Sequence, residues 1–194
     1  MKHLVCLLEE PSARDALQVW LPQWLPTGVT PHFIVFQGKQ DLERQMVRRM
    51  RHWLMPDSRF LVLRDQDSGD CKAVKRTLAA KCAEAGKPDA LVRVVCRELE
   101  SFFVGDWQAV AAAFDRPALG KLATKASYRQ PDNLGSPSQE LARHIVGYQK
   151  RDGARRIAPC VQAQRNTSRS FHALRNAVLG LGPHEDAWQG HRQS

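Results

Sequence analysis

The sequence predicts an α/β fold: a parallel sheet of about four strands with helices on both faces, followed by a C-terminal helical extension. Three observations predict it. Four short apolar segments recur along the first half of the chain, at residues 2–8, 32–36, 59–64 and 91–96. The stretches between them carry apolar residues at helical spacing. The segments are also nearly continuous in apolar character rather than alternating, which is the pattern of strands covered on both faces. Strands that alternate with helices imply βαβ units joined by right-handed crossovers.

The first strand is expected over Lys2 to Leu8. Leu17, Trp20, Leu21 and Trp24 then mark a helix, with Ser12 as its N-cap and Asp15 three residues on. Pro22 and Pro26 should kink or end it. The second strand is His32 to Phe36, and a helix from Gly38 to Met55 follows, with Leu42, Met46, Met50, Trp53 and Leu54 on one side. Arg44, Arg48 and Arg51 fall on another side, and Pro56 stops the helix. The third strand, Arg59 to Arg64, runs directly into Asp65-Gln66-Asp67-Ser68-Gly69-Asp70. A helix with Val74, Leu78 and Cys82 comes next and ends at Gly86-Lys87-Pro88, since glycine just past a helix end with proline soon after is a stop signal. The fourth strand, Leu91 to Cys96, leads into Arg97-Glu98-Leu99-Glu100 and an aromatic segment with Phe102, Phe103 and Trp107.

Residues 1–115 therefore form the α/β domain. Residues 116–137, rich in Pro, Gly, Ser and Lys, read as a loop or linker region. Residues 138–182 are expected as helices packed on the same domain. Ser136-Pro137-Ser138-Gln139 is a helix start, and further helices are expected over Ala154–Gln164 and Ser170–Leu181. The polar residues 183–194 read as a flexible tail.

Bulk composition narrows the function. Hydrophobic residues make up 43% and charged residues 25% of the 194, so the chain is of ordinary globular character. No apolar run approaches membrane-spanning length, and the apolar start is too short for a signal peptide, so a cytoplasmic protein with no membrane association is expected. The five cysteines form no C-x-x-C pair, which argues against structural zinc and fits a reducing compartment. The net charge of +9 attracts polyanions, nucleic acid foremost, although it also serves as a solubilising surface.

In an open parallel sheet, ligands bind outside the carboxyl ends of the strands. The acids of this sequence gather at that edge. Glu9 and Glu10 follow the first strand, Asp65, Asp67 and Asp70 the third, and Glu98 and Glu100 the fourth. Carboxylates from three strand ends are a hard-cation arrangement, and a divalent ion would offset their mutual repulsion. Asp70 and Glu10 also read simply as first-turn acids favoured by a helix dipole, and Glu100 as a surface acid beside a core-facing Leu99, Phe102 and Phe103. Other motifs are absent. The chain has no P-loop, no G-x-G-x-x-G and no G-x-S-x-G, and Arg76 stands where a calcium loop starting at Asp65 needs glutamate.

An apolar strand ending in Glu9, with a strand ending in Asp65-x-Asp67 two strands later, resembles the Rossmann-like TOPRIM domain of topoisomerases, bacterial primases and OLD-type nucleases. The chain is similar more narrowly to a bacterial TOPRIM-like family, domain-of-unknown-function family 4276. That resemblance rests on Phe60 to Cys71, Val94 to Asp106 and Tyr148 to Leu174, the last with Tyr148, Lys150, Gly153, Ser170 and Phe171. Glu10 departs from the pattern, because such strands end Glu-Gly.

The resemblance implies a nuclease subunit hydrolysing phosphodiesters with Mg²⁺ or Mn²⁺. Glu9, Asp65 and Asp67 would be ligands, with Glu9 alternatively the general base, and Glu98 or Glu100 would serve a second metal. Lys150, Lys72 or Arg97 would steady the phosphate. A separate ABC- or AAA-type ATPase in a mobile-element or phage-defence setting is the implied partner, and a homodimer is compatible. Arg44, Arg48 and Arg51, and the group Lys150, Arg151, Arg155, Arg156, Arg165 and Arg169, are expected to follow a DNA or RNA backbone without base readout. The rival expectation is a subunit of the same fold that binds and does not cut.

Overall fold

The computed structural model describes residues 1–182, so the tail expected over 183–194 lies outside the described residues. Four parallel strands, β1 (Lys2–Leu8), β2 (Val29–Val35), β3 (Ser58–Asp65) and β4 (Leu91–Val95), form one sheet in the order β2-β1-β3-β4. Alternate residues of each central strand point to opposite faces, and both faces are dry. Leu4, Cys6, Leu8, Leu61 and Leu63 face a core built with helix α1 (Pro11–Trp24) and the C-terminal half of the chain. Val5, Leu7, Phe60 and Val62 face a smaller core built with α2 (Lys39–Arg51) and α3 (Cys71–Glu84). The doubly wound arrangement matches the expected fold class.

The chain leaves β1 toward β2 on one side and returns to β3 on the other, so a topological switch point lies between β1 and β3. The two strands diverge in their onward connections there, which opens a crevice at their carboxyl ends. Glu9 follows β1 and Asp65 ends β3.

Several local expectations are corrected. Ser12 does not cap α1. Pro11 takes the first helical position, Glu10 is the N-cap residue, and the Ser12 hydroxyl donates to the Glu10 carboxylate instead. The helix continues through Pro22 to Trp24, and Pro26 lies just past its C-cap at Leu25. α2 ends at Arg51, four residues short of Met55, because Pro56 disfavours helical backbone before it. Trp53 folds its indole back to donate to Ser58 Oγ, whereas Leu54 is left exposed. α3 ends as expected, with Gly86 at φ 74°, a left-handed conformation open to glycine.

Beyond β4 come α4 (Glu100–Val104) and α5 (Trp107–Ala113). Residues 116–137 form three short 3-10 helices (Pro117–Thr124, Ala126–Tyr128 and Pro131–Asn133), which bury Leu119, Leu122, Tyr128 and Pro131. Their composition had masked packed apolar residues spaced for a tighter helix. α6 (Pro137–His144) starts where Ser136-Pro137 predicts. α7 (Lys150–Ile157) begins four residues earlier than expected and stops before Pro159, whose ring cannot follow the carbonyl of residue 155 in a helix. α8 (Arg169–Leu179) has Ser168 as its N-cap, the hydroxyl accepting from Phe171 N–H. The indole of Trp20 donates to Ala158 O at 2.9 Å and ties α1 to the end of α7.

Candidate functional site

The loops after β1, β3 and β4 meet at the carboxyl edge of the sheet. Glu9 Oε2 accepts a hydrogen bond from Asp65 N–H at 3.1 Å, which joins the first and third strand ends directly. Asp65 is buried, and its Oδ2 accepts from Leu99 N–H at 3.3 Å, which joins the third to the fourth. The β3 and β4 loops then run side by side, Asp67 N–H donating to Arg97 O at 3.0 Å. Both residues adopt left-handed backbone, φ 54° for Asp67 and φ 64° for Arg97. Aspartate tolerates that region and arginine rarely visits it, so Arg97 holds a strained backbone beside the acidic rim; Asp57 and Asp115 adopt the same region elsewhere. Glu10 is in ordinary extended backbone, φ −140°, so nothing here demands the glycine of the resembled pattern.

Asp65 is the junction of two acidic groups. One contains Glu9 and Asp67. Arg64 lies 3.8 Å from Glu9 and 3.0 Å from Glu43, and Lys39 pairs with Asp67 at 2.8 Å. Lys39 is the first residue of α2, and Gly38 before it, at φ 90°, donates its N–H to Glu9 O. The other group contains Glu10 and Glu100, with the Lys150 ammonium 3.6 Å from the first and 3.5 Å from the second. Glu100 is fully buried. Its Oε1 accepts from the Tyr148 hydroxyl at 3.4 Å. Its Oε2 has no hydrogen-bond partner. Lys150 is close enough to that oxygen to pair in charge, but its geometry does not make a hydrogen bond.

The Tyr148-x-Lys150-x-x-Gly153 segment acts on this second group as a unit. Tyr148 and Lys150 both contact Glu100, and a Cβ on Gly153 would sit 2.6 Å from the Tyr148 hydroxyl oxygen. Glycine is the only residue that leaves room for that ring. The helix therefore starts at Lys150, with Gly153 in its first turn.

The electrostatics follow from burial and crowding. Burial pushes the Asp65 carboxyl well above the ordinary range, and the negative charges of Glu10 and Glu100 push it further. Glu100 is raised to about 7, first by burial; Lys150 opposes the rise and Glu10 adds to it. Glu9 is raised by burial, the Asp65 N–H bond lowering it again and the charge of Asp67 raising it. Burial works against the Lys150 ammonium, yet Glu100, Glu10, Asp65 and Glu98 outweigh it and hold its pKa above the usual value. Among the described residues no three His, Cys, Asp or Glu side chains already form a metal-holding group. Lys39, Arg64 and Lys150 stand among the acids instead.

The other expected residues are placed elsewhere. Glu98 accepts from Ser138 N–H at 3.1 Å and from Ser136 Oγ at 3.3 Å, so it caps the start of α6. Asp70 caps α3 through Ala73 N–H. Arg97 is half-buried, one guanidinium nitrogen 3.5 Å from Asp67 O, and Lys72 is exposed on α3. Arg44, Arg48 and Arg51 lie on α2, bonded to Asp41, Gln45 and the Glu84 carbonyl respectively. α7 packs on the opposite face of the sheet. There Arg151 and Arg155 pair with buried Asp15, and Arg156 donates to Ala113 O and stacks on Phe114 at 4.1 Å. Arg165 makes a two-pronged pair with Asp106. The two arginine groups thus do not share a surface.

Sequence reasoning did not single out Lys39 or Arg64, and it gave Glu98 precedence over Glu100. The signal for Lys39 was its position at a helix start on the same sheet edge.

Fold and edge together define an α/β protein of doubly wound type with a crowded acidic rim at its switch point. The family described as Domain of unknown function (DUF4276) matches over residues 8–179, and the chain belongs to that family. No curated protein and no solved structure matches it. No helix among the described residues is long and apolar enough to cross a membrane.

Proposed function

We propose that the protein is a divalent-metal-dependent phosphodiesterase, a nuclease subunit of TOPRIM type, with its site at the Glu9–Asp65 edge. The observation that carries this reading is the buried Glu100 Oε2, which has no hydrogen-bond partner and only Lys150 as counter-charge, beside a buried Asp65; burial raises both carboxyls, and Glu10 raises both further. Native chains rarely keep such a cluster unless something else compensates it. The donor set is all oxygen, which fits Mg²⁺ or Mn²⁺ rather than zinc. Asp65, with Glu9 and Asp67 on one side and Glu10 and Glu100 on the other, would hold it. A bound Mg²⁺ or Mn²⁺ supplies charge neutralisation at the scissile phosphate and acidifies an attacking water.

The chain's own groups supply the rest. Glu9, raised by burial, either completes that coordination or, left out of it, is suited to take a proton from the water. Lys150 keeps its proton and balances charge next to the phosphate. Tyr148 fixes Glu100 in place. A separate ATPase partner, in a mobile-element or phage-defence setting, belongs to the same proposal, since the sequence has no P-loop of its own.

The test is plasmid cleavage with Mg²⁺ or Mn²⁺, with and without any ATPase encoded beside it, comparing wild type with Asp65→Ala. Cleavage should fall at least about a hundredfold in the variant. Metal-dependent cutting that survives the substitution sinks the site.

A second reading has its own observation. Lys39, Arg64 and Lys150 already balance the rim in part, as in a subunit of the same fold that binds a partner or nucleic acid without cutting. A wild-type protein whose melting temperature ignores millimolar Mg²⁺ and Mn²⁺ favours that reading.

A further inference from the structure

Beside the acidic rim the structure holds a groove of about 740 Å³, the size of a small-molecule site and too small for a duplex. It lies along β4, the edge strand, between α3 and α8. Its floor is apolar, with Val94 and Ala173 open over the buried Val92, and its charged lining is Lys75, Arg93 and Arg169 against one acid, Asp132. That acid is already occupied: Ser168 Oγ, Ser170 N–H and Ser170 Oγ all donate to it. Arg93 donates to Val92 O and Ala173 O, so its charge stays fixed at the floor. Lys75 and Arg169 are exposed and make no hydrogen bond or ion pair among the described residues. They differ in this from Arg44, Arg51, Arg151, Arg155, Arg156 and Arg165, whose charges are spent on internal partners.

The groove also leads to the site. Cys96 lines it and follows Val95, the register partner of Asp65, and Cys71 lines it just past the Asp65–Asp70 loop. An apolar floor flanked by cations without internal partners suits a single strand, with its bases against Val94 and Ala173 and its phosphates at the rim.

We propose that this groove binds single-stranded nucleic acid, with phosphates on Lys75 and Arg169 and bases against Val94 and Ala173. It rests on the phosphodiester reading for the purpose of that binding, the strand being delivered to Asp65; the binding itself needs no chemistry.

The experiment is fluorescence anisotropy of the full chain with a labelled mixed-sequence DNA strand in EDTA, across a salt series. The double variant Lys75→Glu/Arg169→Glu is compared with Arg44→Glu/Arg48→Glu, which changes net charge equally on the α2 surface. Neither Lys75 nor Arg169 holds an internal partner, so the groove variant should melt close to wild type by circular dichroism. The groove variant should bind at least about tenfold more weakly and lose about two units of the slope of log K against log salt. The α2 variant should stay within about threefold of wild type. Tighter binding of a matched RNA strand, lost in the same groove variant, supports the groove as an RNA site. Equal weakening in both variants overturns the proposal, as does duplex binding that matches single-strand binding, or no binding by the wild type. Groove-dependent binding without any Mg²⁺-dependent cleavage keeps the groove and removes the phosphodiesterase.

Discussion

Asp106 and Asp65 are both buried aspartates near strand or helix ends, and their surroundings are opposite. Asp106 accepts from Ala109 N–H at 3.1 Å and Gln162 N–H at 3.0 Å, and from two nitrogens of Arg165. Its negative charge is fully matched, and it clamps the start of α5 to the segment before α8. Asp65 accepts one backbone N–H, from Leu99, and otherwise meets Glu9, Glu10, Glu100 and Lys150. Burial is therefore no mark of function in this chain. The balance of partners separates the two: donors and an arginine surround Asp106, whereas Asp65 stands among three carboxylates and Lys150.

That contrast breaks first on stability. Asp106→Ala removes a helix cap, a second N–H acceptor and the counter-ion of Arg165 together. The expected loss is about 3–5 kcal/mol, softened by the partial exposure of Arg165. Urea denaturation followed by circular dichroism measures it. A loss below about 1 kcal/mol would mean the clamp is decorative and the contrast with Asp65 empty.

The next effect is the pH dependence of Glu100. Its folded-state pKa of about 7 lies above the 4.5 of an ordinary glutamate, so the proton it holds stabilises the fold. That contribution is fully present below about pH 4.5 and is lost as pH rises through about 7. At about 1.4 kcal/mol per pKa unit it amounts to roughly 3 kcal/mol. Denaturation at about pH 5 and pH 8 should show the wild type losing about 2.5 kcal/mol more than Glu100→Gln, since part of the effect is already gone at pH 5. Added Mg²⁺ should flatten the wild-type slope, since a cation among the acids favours their ionised forms. An identical slope in the Gln variant sends the effect to another group.

What the sequence made legible was whatever is local. The four strands showed as apolar runs, and the carboxylates showed as the residues just after them, because a parallel sheet brings every strand's carboxyl end to one edge. Of the neutralising groups only Lys150 was named, through the family resemblance. Lys39 meets Asp67 across 28 residues and Tyr148 meets Glu100 across 48, and no periodicity links such pairs. The arginines of α7 looked like a nucleic-acid surface, since a run of cations carries no sign of the buried Asp15 that takes two of them. The segment 116–137 looked like a linker because Gly and Pro serve 3-10 turns as well as loops. Glu98 and Glu100, two residues apart, differ only in which long-range element reaches them: the start of α6 for one, Tyr148 and Lys150 for the other.

The smallest effect is also the sharpest comparison. Asp65→Asn keeps an oxygen to accept from Leu99 N–H and removes a charge that burial, Glu10 and Glu100 all oppose. Its new amide can donate to the neighbouring carboxylates. The variant should therefore gain about 1 kcal/mol, a rise of roughly 2–4 °C in melting temperature, while losing whatever activity the site has. Asp106→Asn, which leaves Arg165 facing a neutral partner, should move the other way. A fall in stability for both would make Asp65 a structural acid like Asp106. Opposite signs would show that the fold tolerates Asp65 at a cost, and a residue kept at such a cost is kept for what it binds.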